Sequence, residues 1–391
     1  MRVLRSSADF RLLWLGSSLS LVGDGMTFVA LTWLVLDQPG GTGRLGLLTV
    51  CHTLPVFVGG LLTGPLLDRF DKRHVLAADS LVRGAAMASI PLAAAFGEVP
   101  HALPYVVAAV YGLFKMVPLA GFPAAIPDLV AEKDRDAANA LESISFSVAG
   151  MAGPALGGLL IGWFGSEAVL AFDAATFVVF AAAALAVRRP LRAGERPHAR
   201  SGRLSPLLRD RVLISTTLAF MAFNIATGML LVTGPWLAKT QLDGGAQALG
   251  LLLAALSIGE LIGSVLAGAR PAASGGVAGR VTAIAVVQLL AAAAFLAVQA
   301  LPYAGFLLVG LFSAPMTVWA QSLRMRRIPA HLRGRGFAIL RTLMQATPPA
   351  GAALVTPLLE GGRLLTAVMV MAALAGIPAL ALLASQRAAD R

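Results

Sequence analysis

Three charged residues interrupt long apolar stretches of the sequence, and their side chains could do chemistry. Asp24 stands in Leu21-Val22-Gly23-Asp24-Gly25-Met26, Lys115 in the middle of a later apolar run, and Glu260 in Ser257-Ile258-Gly259-Glu260. A charge inside a bilayer costs about 2.5–3.5 kcal/mol on insertion scales, so each needs a partner or a function. We predict that Asp24 exchanges a proton and that Lys115 tunes it, with a purely structural Asp24–Lys115 salt bridge as the alternative. Glu260 is expected to be a second carboxylate or a contact for a cationic ligand.

The composition excludes a soluble enzyme. Of the 391 residues, 57% are hydrophobic and 13% are charged, whereas soluble domains carry about 25% charged residues. The sequence contains no HExxH, GxSxG or P-loop motif and no Cys–His cluster, and it has one cysteine, Cys51. We therefore expect no enzymatic activity, no metal site and no cofactor.

Apolar runs between charged or turn-rich breaks predict an all-α membrane protein with twelve transmembrane helices, since a membrane helix needs about 20 apolar residues. The basic link 188–210 divides them into two six-helix bundles, 1–187 and 211–391. The predicted spans are 11–36, 45–67, 75–97, 102–127, 138–163, 167–187, 211–237, 246–268, 280–300, 303–323, 336–358 and 364–385.

The basic residues sort to one side of this arrangement. Of the 31 lysines and arginines, 25 lie at one set of helix ends, three lie at the other set (Arg44, Lys239 and Arg363), and three lie within spans. Positive residues favour the cytoplasmic side, so we expect both termini and the 188–210 link in the cytoplasm of a bacterium, with the chain in its inner membrane. Anionic lipids account for the net charge of +11, and we expect no nucleic-acid partner.

Several motifs resemble those of the major facilitator superfamily. The segment Gly64-Pro65-Leu66-Leu67-Asp68-Arg69-Phe70-Asp71-Lys72-Arg73 resembles the signature between helices 2 and 3, with Asp71 in place of its second glycine. This departure is similar to the drug:proton antiporter branch that includes macrolide-efflux and enterobactin-exporter proteins. The link between spans 4 and 5 resembles that of the same branch through Ile126–Val130 and Ala138–Leu141. The link between spans 10 and 11 does so through Arg333–Phe337. The segment 150–158 resembles the helix-5 antiporter signature through Gly150, Gly153, Pro154, Gly157 and Gly158. One spacer residue is missing before Gly153, so Ala149 stands where the signature has its first glycine.

The resemblance implies a gate and a packing seam. Asp68 would cap a neighbouring helix and pair with arginines in one of two conformations. The expected gate residues are Gly64, Asp68, Arg69, Arg73, Asp79, Arg83 and Glu142, where Asp79 and Arg83 are spaced for an intrahelical ion pair. The kinked glycine face of span 5 would pack against the other half.

The resemblance also implies a central cavity lined by spans 1, 4, 7 and 10. Candidate substrate-binding residues there are Met26, Phe28, Met116, Met221, Asn224, Met229, Trp236, Met316, Trp319 and Gln321, because methionines and aromatics adapt to varied apolar ligands. The implied function is proton-coupled export, by a monomer, of a small amphipathic molecule such as an antibiotic, a secondary metabolite or a siderophore. Uptake or uniport, a lipid-modifying enzyme and a transporter-like scaffold are the alternatives.

Overall fold

The computed structural model describes residues 2–38, 41–191, 209–269, 276–328, 340, 343–344 and 346–389. These residues are overwhelmingly helical and include no β-strand. Ten stretches among them are long and apolar enough to cross a membrane. The helices are α1 (Arg2–Ser6), α2 (Ala8–Leu36), α3 (Gly41–Arg69), α4 (Lys72–Ala95), α5 (Leu103–Phe114), α6 (Met116–Leu129), α7 (Arg135–Ala186), α8 (Arg211–Thr240), α9 (Ala246–Ala269), α10 (Gly276–Ala300), α11 (Pro302–Arg327), α12 (Pro348–Glu360) and α13 (Leu364–Ala389).

The predicted all-α membrane fold is confirmed, with one local difference in the helices. Within α7 the chain kinks at Gly165, which has φ of +83°, so α7 consists of two helices that meet in the predicted break between spans 5 and 6. The hydrogen bonding of span 4 is interrupted at Lys115, between α5 and α6, although Lys115 keeps a helical backbone conformation. Pro118 explains this break, because it lacks the amide that would bond to the carbonyl of Phe114. The eleventh span is described mainly over Pro348–Glu360.

The chain forms two compact units. The first comprises Met1–Arg196 with Gln241–Leu251, and the second comprises Pro197–Thr240 with Leu252–Arg391. The start of α9 therefore packs with the first unit, which differs from the expected division at 211. Gly158 of α7 allows this packing, since a Cβ there would lie 2.5 Å from the carbonyl oxygen of Ala246 and 3.1 Å from Cα of Gly250. Most of the 188–210 link lies outside the described residues.

Glycines bring helices into backbone contact in both units. Small residues matter in lipid because close packing, rather than apolar burial, drives helix association. In the first unit these contacts join α2 to α7 and α3 to α5, and in the second they join α8 to α12 and α9 to α11. A Cβ would lie within 3.0 Å of a backbone atom of the partner helix at each of Gly25, Gly153, Gly59, Gly112, Gly228, Gly351, Gly259 and Gly310.

The outer surface of the helices is apolar. Leu15, Leu61, Val178, Leu266 and Ile377 are each more than half exposed. Exposed apolar patches of this kind suit a lipid environment and not water.

Asp210 begins the second unit's first long helix. Its carboxylate accepts hydrogen bonds from the amides of Val212 and Leu213. It also forms an ion pair with Arg327, whose Nε lies 2.6 Å from Oδ2 of Asp210. Partial burial acts to raise the pKa of Asp210, but the hydrogen bond from Arg327 and those of the two amides outweigh it and hold that pKa below its usual range. The helix start is thereby tied to the end of α11.

Candidate functional site

A buried arginine holds two carboxylates together inside the first unit. The guanidinium of Arg83 in α4 lies 2.6 Å from Oδ2 of Asp79 and 3.2 Å from Oδ1 of Asp24 in α2. Arg83 is 1% exposed, and its guanidinium lies 4.3 Å from the ring centroid of Phe177. A guanidinium offers five donors in a fixed fork, which lets it serve two carboxylates at once. Sequestered from water, these ion pairs depend strongly on each other.

The local sequence explains how the two carboxylates reach Arg83. Asp79 is four residues earlier on the same helix, so it lies on the same face. Asp24 is flanked by Gly23 and Gly25, which let α2 approach α7 closely. The Asp79–Arg83 pair was predicted from the sequence, with both residues assigned to the gate, and the structure contains it. In addition, Asp24 supplies a second carboxylate to the same guanidinium.

Lys115 is not the direct partner of Asp24. The part of the chain that the structure describes contains no ion pair of Lys115, although Lys115 lies within electrostatic reach of Asp24. Asp24 instead bonds to Arg83, and Tyr111 lies within electrostatic reach of it. The alternative of a structural Asp24–Lys115 salt bridge is therefore replaced by an Asp24–Arg83 pair, with Lys115 as a nearby second cation.

Asp173 is a further buried acid that the sequence analysis did not include among the site residues. It is 0% exposed and lies in α7 against Gly23. The hydroxyl of Thr27 in α2 bonds to its Oδ2, and Thr176 Oγ1 lies 3.0 Å from its Oδ1. The signal that flagged Asp24, an acid within an apolar run, applies equally to Asp173.

An aromatic stack borders this cluster. The ring of His52 in α3 lies 5.1 Å from that of Tyr111 in α5 and 5.4 Å from that of Phe28 in α2. Phe28 was expected to contact substrate, and it is half-buried in this stack. The stack thus joins α2, α3 and α5 beside the cluster.

The α3–α4 turn forms a separate polar network. Asp71 caps α4 by accepting from the amide of Arg73, and it also accepts from the amide of Leu191. Lys72 Nζ lies 3.0 Å from Oδ2 of Asp128, and Arg73 Nε lies 3.2 Å from Oδ2 of Asp71. The turn is therefore tied to the ends of α6 and α7 through Asp71 and Lys72, neither of which was among the predicted gate residues.

The remaining gate candidates make fewer contacts. Asp68 and Arg69 are exposed, and a Cβ on Gly64 would meet nothing within 4 Å. Asp68 makes no ion pair with any described residue, because the nearby cations Lys72 and Arg73 are paired elsewhere. Glu142 is half-buried. The Arg333–Phe337 motif lies outside the described residues.

The glycine motif of α7 divides between two partners. Gly153 packs against Gly25, and Gly157 packs against Met26, so both face α2 in the same unit. Gly158 faces the start of α9, as described above, and the carbonyl oxygen of Pro154 also lies against Gly250 there. Pro154 is buried inside α7, and Gly150 is half-buried. The expectation that the whole glycine face meets the other half is thus wrong for Gly153 and Gly157.

The residues predicted to line a cavity differ in how deeply they are buried. Met26, Met229 and Met316 are at most 1% exposed and Trp236 is 8% exposed, so these four are packed in the interior, and their contact with substrate stays a prediction. Met116, Met221, Asn224 and Trp319 are partly buried, and Gln321 is exposed. Asn224 donates to the carbonyl of Met344 at 2.9 Å, and Trp319 donates to that of Ala267 at 3.4 Å.

Glu260 lies on an exposed face of α9 that is distinct from the apolar one. Ile258 and Ile262 are 36% and 44% exposed and lie on the apolar side of the helix, which suits contact with lipid. Glu260 is two residues from each and therefore lies about 160° away around the helix axis. It shares its face with Ser264, which is also exposed. This arrangement gives α9 a polar side opposite its apolar side.

Comparisons with known proteins place these features in a family. The family model of the Major Facilitator Superfamily matches residues 13–352. The chain is 26% identical over 368 residues to the multidrug efflux pump Tap of Mycobacterium tuberculosis, covering 88% of this chain and 86% of that protein. It is 25% identical over 185 residues to macrolide efflux protein A of Streptococcus pyogenes, covering 46% and 45% of the two chains.

The fold is also that of solved transporters. The structure of the nucleoside transporter NupG matches with a TM-score of 0.74 at 13% identity, covering 96% of this chain and 99% of that one. The resemblance seen in the sequence motifs, including that to efflux proteins, is confirmed. The chain belongs to the major facilitator superfamily and is a multi-pass membrane transporter.

Proposed function

We propose that the chain is a proton-coupled exporter of small amphipathic molecules, working by alternating access in the bacterial inner membrane with both termini cytoplasmic. One observation carries the proposal: Arg83 holds two carboxylates from two helices in a buried position. Protonation of Asp24 would remove one of these acceptors and leave Arg83 with Asp79 alone. Because the cluster joins α2 to α4, a change in its charge changes how these helices attract each other.

Export is supported by the relatives. Both curated relatives described above are named efflux proteins, and the basic residues favour cytoplasmic termini. An antibiotic, a secondary metabolite or a siderophore fits the expected chemistry. Met116, Met221, Asn224, Trp319 and Gln321 remain candidates for substrate contact, since their side chains are not fully packed.

Glu260 and the α3–α4 turn fill secondary roles in this proposal. A carboxylate opposite the apolar stripe of α9 can attract a cationic substrate or act as a second proton acceptor. Gly64, Asp68 and Arg69 have room to make new contacts in another conformation, which is what a gate requires.

The test uses inside-out vesicles that hold a preformed pH gradient. A panel of antibiotics and iron chelators is added, and collapse of the gradient reports exchange of compound for protons. We expect at least one compound to collapse the gradient with the wild type and with Asp243→Asn, which changes an exposed acid outside the spans. Asp24→Asn should abolish this exchange while the protein still purifies as a folded species. Unchanged exchange with Asp24→Asn would remove Asp24 from the mechanism, and substrate movement without any proton flux would favour uniport.

A further inference from the structure

Asp173 differs from the other carboxylates of the cluster in having hydroxyl partners only. Its Oδ2 bonds to the Thr27 hydroxyl, and its Oδ1 lies 3.0 Å from Thr176 Oγ1. Among the described residues it makes no ion pair, whereas Asp24 and Asp79 share Arg83. Asp173 is 0% exposed, so water does not replace the missing cation.

The geometry of Thr176 indicates where a proton sits. Its Oγ1 lies 2.8 Å from the backbone carbonyl oxygen of its own turn, that of Asp173, and 3.0 Å from Oδ1 of the same residue. A hydroxyl has one proton to donate, and it can accept two hydrogen bonds. Both contacts are satisfied together when Thr176 donates to the carbonyl and a protonated Asp173 donates to Thr176. Thr27 then donates to the other carboxyl oxygen.

The charge balance of the cluster agrees with this assignment. Asp24 and Arg83 act on Asp173 from the neighbouring helices, Asp79 is joined to them through Arg83, and the hydroxyl of Tyr111 and the amine of Lys115 lie beyond them. The ring of His52 lies on the far side of Tyr111. Three ionised carboxylates against the two cations Arg83 and Lys115 would leave one uncompensated negative charge, which is strongly unfavourable away from water. One bound proton makes the cluster neutral.

We propose that Asp173 binds a proton while Arg83 holds Asp24 and Asp79, and that Asp173 thereby controls which carboxylates the guanidinium serves. When the proton leaves, Asp173 becomes a third anion competing for Arg83, which weakens the Arg83–Asp24 contact. The coupling part of this inference rests on the proposed proton-driven function, but the bound proton itself does not.

Infrared spectroscopy of the purified protein tests the bound proton. A protonated carboxyl has a C=O stretch that a carboxylate lacks, and a detergent without ester groups leaves this region clear. We expect a protonated-carboxyl band at neutral pH in the wild type, its loss in Asp173→Asn and its retention in Glu260→Gln. Thr176→Val removes the acceptor of the proton, so it should shift the band, and it serves if Asp173→Asn does not fold. Absence of the band in the wild type, or its persistence unchanged in both variants, would overturn the assignment.

The vesicle assay then separates the two proposals. If the wild type shows the band but no compound moves protons, the proposed function fails and the Asp173 proton stands. If Asp173→Asn loses the band yet exchanges compound for protons like the wild type, the proton is bound but Asp173 does not control coupling. Loss of both the band and the exchange in Asp173→Asn, with both kept in Asp243→Asn, is the expected result.

Discussion

A single methyl group at Gly23 should disrupt the buried acid cluster. A Cβ at this position would lie 2.0 Å from Oδ1 of Asp173 and 2.7 Å from Oγ1 of Thr176. Ordinary contact begins at 3.4 Å, so the carboxyl oxygen must move by about 1.4 Å. A shift of that size breaks at least one of the hydroxyl contacts of Asp173, because the Thr27 and Thr176 bonds hold its two oxygens from different sides.

The expected cost follows from the lost hydrogen bonding. A buried polar group left without its partner costs about 1–3 kcal/mol. Alanine is a better helix former than glycine by about 1 kcal/mol, which offsets part of that cost. We therefore expect Gly23→Ala to lower the free energy of unfolding by up to about 2 kcal/mol relative to the wild type, and by about 1–3 kcal/mol relative to a glycine-to-alanine control without the clash.

Reversible unfolding of the purified protein in mixed micelles with increasing dodecyl sulfate measures this change. Gly60→Ala is the matched control, because a Cβ there meets only Met116 Cγ at 3.7 Å. The control should be as stable as the wild type or slightly more stable. If Gly23→Ala unfolded at the same detergent fraction as Gly60→Ala, the tight contact between Gly23 and Asp173 would not exist in the protein.

Two further predictions concern other parts of the fold. Since the folded pKa of Asp210 is depressed, its contribution to stability is present above the unfolded value of about 3.9 and is lost as the pH falls through the lower folded value. Thermal unfolding should show the wild type more stable than Asp210→Asn at neutral pH, with the difference shrinking below about pH 4; a constant difference would argue against the Arg327 contact. Gly165→Ala should cost about 1–3 kcal/mol, because φ of +83° with ψ of 166° is a backbone region that essentially only glycine occupies, whereas Gly268→Ala, with nothing within 4 Å of its Cβ, should not; equal unfolding midpoints would contradict this.

The helices and the deepest charges could be predicted from the sequence, but the partners of those charges could not. Apolar runs bounded by charges locate helices directly, and an acid inside such a run is conspicuous. The spacing of Asp79 and Arg83 also predicts their pairing, because both lie on one helix. Whether Arg83 reaches Asp24 depends on how far each helix is rotated about its axis, and a single sequence does not contain that angle.

The burial of the methionines could not be predicted from the sequence for a similar reason. Met26 and Met229 lie on helices expected to border a cavity, but glycines draw other helices onto them. Gly157 contacts Met26, and Gly351 contacts the backbone of Met229. The glycine spacing is visible in the sequence, whereas the helix that each glycine face meets is set by tertiary packing. Asp173 was not among the predicted site residues because its two threonine partners lie on different helices and form no recognisable pattern in the sequence.

The interruption of the fourth span at Lys115 has a mechanical consequence. Within the 27 residues from Leu103 to Leu129, Pro118, Pro123 and Pro127 each lack the amide that would complete a helical hydrogen bond, so the segment bends more easily than an ordinary helix at three points. Lys115 lies within one turn of the first of these points, and its amine is within electrostatic reach of Asp24. A change in the charge of Asp24 therefore exerts a force on a part of the helix that can bend.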